Sequence, residues 1–532
     1  MSDVSKNLAN LNADAKRALL ARLLRERAGV SESTVSESGP GEPAVARESW
    51  MPISHNQKAL WFLSQLAPES AAYNLMYSAR ISSQLNHTSL KKALHTLTQR
   101  YPILTATYTL HAGEPVQQLH PELQIPLEEI AARTLSLEEI QAELYSESNK
   151  AINLAQGPLL RIRLYERAQN DFVLALIVHH IAVDFWALDI LVDELFILYA
   201  AEQAGIASPL PAPGEQHSEF VRWQNEMIAS PEGERHWAYW QQVLAGEVSN
   251  LHLPTDRPRP PKQTYNGASH SFSLDPELTQ RLRALANTER VTLFTLMLTA
   301  YQSLLYRYTN QDDIVVGTPA LGRTRSAWER VIDYLANPIL VRANLAHNPT
   351  FKELLAQTRQ GVFDALDHQD FPFPLLVERL QPRRDPSYSP FYQTLFIWDR
   401  PRKRSDQDLE RLLPKEIARR IAQENLVFEP FAYGQQGAPF DLTLTVFEID
   451  GNLSADFRYN VDLFDAATIA HIEQHFRVLL QSIVEQPEQH LLSLPMLTPE
   501  ERQRILVDWN ATQSDFPAQT TLHALIEQQV ER

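Results

Sequence analysis

Two adjacent histidines followed by an aspartate, His179, His180 and Asp184, are the residues of this sequence whose types and spacing best suit chemistry. A neutral imidazole can accept a proton near neutral pH, and a carboxylate can hold a loop through an ion pair. The alternative interpretation is that the two histidines are structural: they end a core strand, make their hydrogen bonds within the protein and do not contact a ligand. The residues alone leave both interpretations open.

A metal ion bound by these side chains is disfavoured, although His-His-x-x-x-Asp carries the nitrogen and oxygen ligands found in some iron sites. Neighbouring side chains on extended backbone point to opposite faces, so His179 and His180 should not chelate one ion. The same geometry assigns one histidine to the structure and the other to a cavity. We therefore expect no metal.

The elements on either side of the histidines explain how they are positioned. Residues 172–178 are a continuous apolar run of strand length, which is typical of a strand buried on both faces. From Ala187 onward, leucines recur every three or four residues, which predicts a helix. The histidines and Asp184 are therefore predicted to lie in a strand-to-helix turn, where firmly held backbone can aim side chains at a ligand.

Composition excludes several classes of function. The chain has 532 residues and a net charge of −17, which is long enough for more than one domain and too acidic for general nucleic-acid binding. It has no apolar stretch typical of a membrane span and no signal-peptide pattern. It has no cysteine, which excludes disulfides, thiolate zinc sites and a cysteine nucleophile. These features fit a cytoplasmic protein.

The common catalytic motifs are absent from the sequence. It has no Gly-rich phosphate loop, no Gly-x-Ser-x-Gly elbow and no His-Glu-x-x-His. An enzyme-bound acyl intermediate and activation of its own substrate are therefore disfavoured. Transfer of an acyl group from a preformed thioester to an amine needs only positioning and one proton acceptor, which a single imidazole supplies.

Composition along the chain predicts five segments. Residues 1–30 are predicted to form a basic amphipathic helix, which either docks on an acidic partner or is a frayed terminal helix. Residues 31–48 are predicted to be a flexible linker. Two α/β lobes are predicted at 49–253 and 254–496, joined through a proline-rich crossover. Residues 497–532 are polar, carry one short helix candidate and look too small to fold alone.

Seven ordered motifs resemble those of condensation domains of nonribosomal peptide synthetases. In chain order they are residues 54–63, 100–105, 179–184, 217–223, 316–323, 332–338 and 368–373. Tyr101 and Thr105 depart from the second motif, which commonly has histidine and arginine there. The tail after Leu497 resembles the linker and opening of an adenylation domain.

The resemblance implies an α/β fold of two chloramphenicol-acetyltransferase-like lobes in a V, with a central tunnel. An upstream donor carrier protein would present an acyl or peptidyl thioester on phosphopantetheine, and an acceptor carrier downstream of the adenylation domain would present an aminoacyl thioester. The domain itself would bind no cofactor. His180 would be the catalytic histidine, acting as base or by positioning the amine, with His179 and Asp184 structural. Because Thr105 removes one candidate arginine, we expect Arg323 to pair with Asp184.

Further residues of the motifs are candidates for contact with substrate in the tunnel. Phe185 and Trp186 follow Asp184, and many relatives have glycine at the first of these two positions, so the loop is bulkier here. Together with Asn337, they are similar to condensation domains of hybrid assembly lines, where a polyketide synthase can supply the donor. Gln369, in the seventh motif, is the remaining candidate.

Other members of the same fold give the rival functions. Heterocyclisation domains replace the histidines with aspartates, and epimerisation domains usually follow a carrier, so both are disfavoured. A free-standing acyltransferase that uses coenzyme A is disfavoured by the docking-like helix and by the tail. The main alternative is a catalytically silent scaffold that recruits partner proteins, although such scaffolds typically lose the active histidine.

Overall fold

The computed structural model describes residues 50–214, 217–383, 385–399, 428–434, 437–449, 451–513 and 520–532. The predicted N-terminal helix (1–30) and linker (31–48) lie outside these residues, as does most of the highly charged stretch after Asp399. The rest alternates helices and strands, so the prediction of a mixed α/β protein is confirmed.

The strands pair into three sheets within the described residues. They are β1 (Met51–Pro52), β2 (Asn74–Ile81), β3 (Thr107–His111), β4 (Glu114–Gln118), β5 (Leu127–Ala131), β6 (Leu160–Ala168), β7 (Asp171–His179), β8 (Gly267–Ser273), β9 (Asp313–Ala320), β10 (Asn337–Asn344), β11 (Thr394–Asp399), β12 (Phe428–Gly434), β13 (Leu442–Ile449) and β14 (Asn452–Asn460). The orders are β12-β2-β7-β6-β5, β10-β9-β11-β13-β14-β8 and β1-β4-β3.

Helices cover the two larger sheets. They are α1 (His55–Leu66), α2 (His87–Arg100), α3 (Leu137–Ser148), α4 (Phe185–Gln203), α5 (His217–Ile228), α6 (Pro231–Val243), α7 (Pro276–Thr288), α8 (Leu293–Thr309), α9 (Phe351–Asp367), α10 (Phe373–Leu380), α11 (Ala466–Glu485), α12 (Pro499–Gln503) and α13 (Leu522–Val530). Short 3-10 turns occur at Pro102–Thr105, Ser326–Trp328 and Leu491–Ser493, and a π turn at Arg504–Asp508. Within the described part of the chain, no helix is both long and apolar enough to cross a membrane.

Strand β7 is the centre of the first sheet, as its apolar run predicts. It pairs antiparallel with β2 on one side and with β6 on the other. Its residues from Phe172 to His179 are all buried, because helices cover one face and further apolar residues the other. The strand ends at His179, and α4 begins at Phe185, two residues before the leucine periodicity becomes visible.

The apolar residues form separate cores around the two large sheets. One core contains β7 residues such as Leu176 together with Leu195 of α4, and another contains Leu298 of α8 together with Phe457 of β14. Strand β12 crosses the predicted division at 253/254, because it pairs antiparallel with β2 at the edge of the first sheet. The second half of the chain therefore contributes a strand to the first lobe, which the sequence pattern does not indicate.

Candidate active site

The two histidines lie where β7 ends, and they face different surroundings. His179 is buried, and its Nδ1 accepts a hydrogen bond from the Ile181 amide at 3.1 Å. His180 is partly exposed, and its amide donates to the carbonyl of Tyr73 at 2.7 Å. Burial lowers the pKa of His179 to about 3, so this side chain is a neutral structural element. Of the two histidines, the partly exposed His180 is therefore the candidate for contact with substrate.

The tautomer of His180 follows from its hydrogen bond to the backbone. Its Nδ1 lies 2.7 Å from the carbonyl oxygen of Val183, and because a carbonyl only accepts, Nδ1 carries the proton. Nε2 is then the unprotonated nitrogen and can accept. Burial lowers the pKa of His180, while the bond to Val183 and the charge of Asp184 act in the opposite direction. The rings of Tyr334 and Phe185 pack edge-on against the imidazole and fix its plane. Their centroids lie 4.7 and 5.8 Å from the imidazole centroid.

Asp184 joins the two lobes beneath the histidine. Its carboxylate caps α4 by accepting from the Ala187 amide at 2.8 Å. It also accepts two bonds from the Arg323 guanidinium, at 2.6 and 3.0 Å, so the ion pair expected from the sequence is present. The amides of Leu335 and Ala336 donate to the same carboxylate at 3.1 Å each. The Asp184 and Arg323 side chains are both 3% exposed, so this ion pair is buried. Both terminal guanidinium nitrogens are hydrogen-bonded, whereas Nε of Arg323 has no partner among the described residues.

A second polar junction, at Asp333, holds the opening motif against the same loop. Gln57 donates to the Asp333 carboxylate and to the Ile181 carbonyl, each at 2.9 Å. His217 lies between the Asp333 carboxylate and the Pro52 carbonyl, and both groups accept. Both ring nitrogens must therefore donate, which makes His217 an imidazolium paired with a buried carboxylate. With the Asp184–Arg323 pair, five of the seven motifs thus meet through hydrogen bonds around the His180 turn.

The His217–Asp333 pair predicts a specific pH dependence of stability. Burial alone lowers the pKa of His217, but the Asp333 carboxylate outweighs it and raises the pKa above the ordinary value of about 6.5. A raised folded-state pKa gives a contribution that is fully present below about pH 6.5 and is lost as pH rises through the folded value. The free energy of unfolding of wild type minus that of His217→Gln, measured with urea, should shrink from pH 6 to pH 9. A difference that grows with pH would contradict the assignment.

Gly322 lets the Arg323 loop approach the Leu335 backbone. Its φ is +67°, and a Cβ added there would lie 2.0 Å from the Leu335 carbonyl oxygen. Gly113, with φ +87° and open space around it, is a matched control for backbone strain alone. We expect Gly322→Ala to lower the free energy of unfolding by about 3 kcal/mol and Gly113→Ala by about 1 kcal/mol. Equal losses in thermal or urea unfolding would show that the close approach is unimportant.

The Asn337 side chain is hydrogen-bonded within the protein, and its contact with substrate stays a prediction. Its amide group donates to the carbonyls of Gln369 and Phe371 at 2.8 Å each. Its oxygen accepts from the Phe373 amide at 2.9 Å and from the Asn56 side chain at 3.2 Å. All its hydrogen-bonding capacity is used by the protein. Asn337 therefore shapes the 369–373 loop from a buried position.

The other tunnel candidates are distributed unevenly around His180. Phe185 contacts the imidazole directly, whereas the Trp186 indole donates to the Glu329 carbonyl at 2.8 Å and so secures the second-lobe loop. Gln369 is partly exposed, and its side chain donates to the Leu366 carbonyl in the last turn of α9. Phe185 is thus the only one of these candidates for which a contact with His180 is observed among the described residues, and the substrate roles of the others stay predictions.

Glu194 is a connection that the sequence analysis missed. It is 1% exposed on α4 and accepts from Arg100 at 3.1 Å, from the Tyr101 hydroxyl at 2.9 Å and from Arg330 at 2.7 Å. Arg330 belongs to the same loop as Arg323, so a second ion pair ties that loop to α4. The sequence did carry one signal for this connection. Glu194 lies on the apolar face of the predicted helix, and a buried glutamate requires a charged or polar partner.

No cluster of three or more His, Cys, Asp or Glu side chains suited to a metal ion occurs among the described residues. Two surface cavities, of about 500 and 430 Å³, lie between α6 and residues of the second lobe and share Arg342 and Val243 in their walls. His180 lines neither of them. The predicted tunnel past His180 therefore stays a prediction.

The family of the chain is decided by comparison with known domains. A family model described as Condensation domain matches residues 47–506, most of the chain. The chain belongs to the condensation domain family. Condensation domains are acyltransferases that form amide bonds, and they need no cofactor of their own. Condensation domains receive their substrates on the phosphopantetheine of carrier domains. They work together with carrier domains and adenylation domains.

Curated relatives of this condensation domain are much longer synthetases. One component of the linear gramicidin synthase of Brevibacillus parabrevis is 36% identical over 519 residues, which are 96% of this chain and 6% of that protein. Chondramide synthase cmdD of Chondromyces crocatus is 35% identical over 486 residues, 91% of this chain and 12% of that protein. The condensation domain thus spans a small part of the relatives it matches.

Solved structures place the condensation domain in the chloramphenicol-acetyltransferase-like fold. A holo four-domain nonribosomal peptide synthetase bound to AMP and glycine superposes with a TM-score of 0.78 at 24% identity, covering 93% of this chain and 37% of that one. The X-domain of teicoplanin biosynthesis, solved in complex with OxyB, gives 0.74 at 25% identity, covering 87% of this chain and 100% of that one. The fold expected from the motifs is confirmed.

Proposed function

We propose that this condensation domain catalyses amide bond formation between an acyl, peptidyl or polyketide thioester on a donor carrier and the amine of an aminoacyl thioester on an acceptor carrier. The observation that carries the proposal is the unprotonated Nε2 of His180, whose tautomer is fixed by the bond from Nδ1 to the Val183 carbonyl. A neutral imidazole with a lowered pKa is ready to accept a proton at pH 7.

The proposed reaction requires one proton transfer in each direction. The amine nitrogen attacks the thioester carbonyl carbon, and its proton passes to Nε2 of His180. The tetrahedral intermediate collapses, the carbon–sulfur bond breaks, and the proton is returned to the departing phosphopantetheine thiol. The new amide remains on the acceptor arm. If Nε2 instead only accepts a hydrogen bond from the amine, the same geometry orients the nitrogen lone pair toward the carbonyl.

The proposed partners follow from this reaction. The donor carrier belongs upstream, in a peptide synthetase or a polyketide synthase, with residues 1–30 as a candidate docking segment. The adenylation domain and the acceptor carrier belong downstream. Phe185 and Trp186 make the turn after Asp184 bulkier and support a donor chain that differs from that of relatives with glycine there.

Silent recruitment of a partner protein is the second candidate function. It is favoured by one observation, that the structurally similar X-domain of teicoplanin biosynthesis was solved as a complex with OxyB. A scaffold has no need of a neutral histidine with a fixed tautomer, so the His180 geometry favours catalysis.

Amide formation from loaded carriers distinguishes the two functions. Donor and acceptor carriers loaded with acyl and aminoacyl groups, mixed with the domain, should give an acceptor-bound amide detectable by intact-protein mass spectrometry. The reference is the same mixture without the domain, because thioesters react slowly with amines unaided. Product at the reference rate with every donor tested would remove the catalytic proposal and favour the scaffold.

A further inference from the structure

His217 is a buried charged group that the proposed reaction does not use. His217 is 6% exposed and its partner Asp333 is 0% exposed. Nδ1 of the ring faces the Asp333 carboxylate, and Nε2 lies 2.9 Å from the Pro52 carbonyl oxygen. An ionised carboxylate and a carbonyl only accept, so a neutral ring would turn a lone pair toward one of them. The proton on His217 therefore keeps both contacts in place.

Three hydrogen bonds connect Asp333 to the loop that carries His180. The Gln57 amide group donates to the Asp333 carboxylate and to the Ile181 carbonyl, at 2.9 Å each. The Asp184 amide donates to the Asp333 carbonyl at 3.2 Å. The carbonyl that fixes the tautomer of His180 lies between Ile181 and Asp184 in the sequence. The position of Asp333 is therefore coupled to the segment that orients the imidazole.

A further connection runs through the residue that follows Asp333. The Tyr334 amide donates to the Asp333 carboxylate at 2.7 Å, and the Tyr334 ring packs against the His180 imidazole with the ring centroids 4.7 Å apart. A shift of the carboxylate would therefore move a ring that contacts His180. Removing the counter-charge of a buried carboxylate favours such a rearrangement, because an uncompensated charge is costly away from water.

The groups that act on the His217 ring come from three elements. Burial lowers the pKa of His217, but Asp333 from the loop between β9 and β10, the Pro52 carbonyl of β1 and Glu219 of α5 together outweigh burial and raise it. The Asp333 charge also acts on Tyr108 of β3, whose pKa is raised first by burial and then by that charge. Tyr108 therefore stays a neutral phenol while His217 loses its proton.

We propose that His217 is a positioning residue for His180, and that loss of the His217 proton at alkaline pH slows acyl transfer in the folded domain. The inference rests on the proposed function and adds a pH dependence to it. With the proton present, Asp333 holds Gln57 and Tyr334 against the His180 loop. Without it, the buried carboxylate has lost its counter-charge, and the ring turns a bare nitrogen toward an acceptor.

The test compares the single-turnover rate of wild type with that of His217→Gln from pH 6.5 to pH 9, using saturating loaded carriers. Glutamine can hydrogen-bond but carries no charge at any pH. We expect the variant to be about 10-fold slower at pH 6.5, since a small misplacement of a reacting group is costly, with KM for both carriers unchanged. The ratio of the two rates should approach one as the pH rises, because wild type loses the same charge. Ionisation of the substrate amine affects both proteins alike.

His475→Gln is the matched control. The His475 ring, on α11 of the second lobe, likewise lies between an oxygen, the Tyr308 hydroxyl, and a carboxylate, Glu501 at 3.1 Å. This variant should keep the wild-type rate at every pH. A His217→Gln protein with an unchanged rate, with the same deficit at every pH, or with a deficit that matches its loss of folded protein would overturn the inference.

Nitrogen-15 NMR of the His180 ring separates failure of the inference from failure of the proposed function. In wild type its signals should shift at an alkaline midpoint that coincides with the titration of His217, and this midpoint should be absent from His217→Gln. A wild-type His180 signal without that midpoint would overturn the inference even if transfer occurs. Absence of transfer by wild type with every substrate would refute the proposed function, while the alkaline midpoint alone decides whether His217 positions His180.

Discussion

Replacing His180 by alanine is expected to slow amide formation between loaded carriers by about 10²- to 10⁴-fold, the usual contribution of a positioned acid–base group. The variant removes the only proton acceptor that the described site places beside Phe185 and Tyr334. Because His180 is partly exposed, its truncation should change the unfolding temperature little. Single-turnover rates by mass spectrometry, with thermal unfolding of the same samples, measure both effects.

The matched control is His111→Ala, which removes an exposed histidine at the end of β3 that stacks on Trp50. It should retain the wild-type rate. Undiminished transfer by His180→Ala would exclude this residue from the mechanism. Loss of rate in His180→Ala with an equal loss of folded protein would assign it to the structure, which is the alternative that the sequence left open.

Replacing Arg323 by alanine is expected to lower the free energy of unfolding by about 3–5 kcal/mol, because it leaves the Asp184 carboxylate buried without its counter-charge. The guanidinium also donates to the carbonyls of Leu321 and Val331 at 3.1 Å each, so its loss releases the loop that joins the lobes. Urea unfolding measures the loss. The fraction that remains folded should still transfer the acyl group at close to the wild-type rate.

Arg235→Ala is the matched control for this arginine. Arg235 pairs with Asp367 at 2.8 Å, but both side chains are more than half exposed, so solvent screens the pair. We expect its removal to cost less than about 1 kcal/mol. An Arg323→Ala protein that is as stable as wild type yet inactive would contradict the structural role and would place the arginine in the chemistry.

The sequence predicted the site best where the determinants are local. The apolar run 172–178 and the later leucine spacing placed His180 in a strand-to-helix turn, because strand and helix periodicities are properties of short segments. The opposite-faces argument separated His179 from His180 for the same reason. The Asp184–Arg323 pair was expected from the motifs, and the distance between its atoms is now known.

Long-range contacts were not predictable in this way. Strand β12 joins the first sheet from far along the chain, and nothing in its own residues indicates β2 as its partner. The sixth motif singled out Asn337, but the sequence does not indicate the four hydrogen bonds that its side chain makes with distant residues.

The central claim is that His180 is a neutral imidazole with its proton on Nδ1 and a free Nε2. Nitrogen-15 NMR of histidine-labelled domain tests it directly, with the signals of His180 assigned by their loss in His180→Ala. We predict a protonated Nδ1 and an unprotonated Nε2 at pH 7, with a titration midpoint below about 6.5. A proton on Nε2 with Nδ1 bare, or an imidazolium at pH 7, would contradict the account.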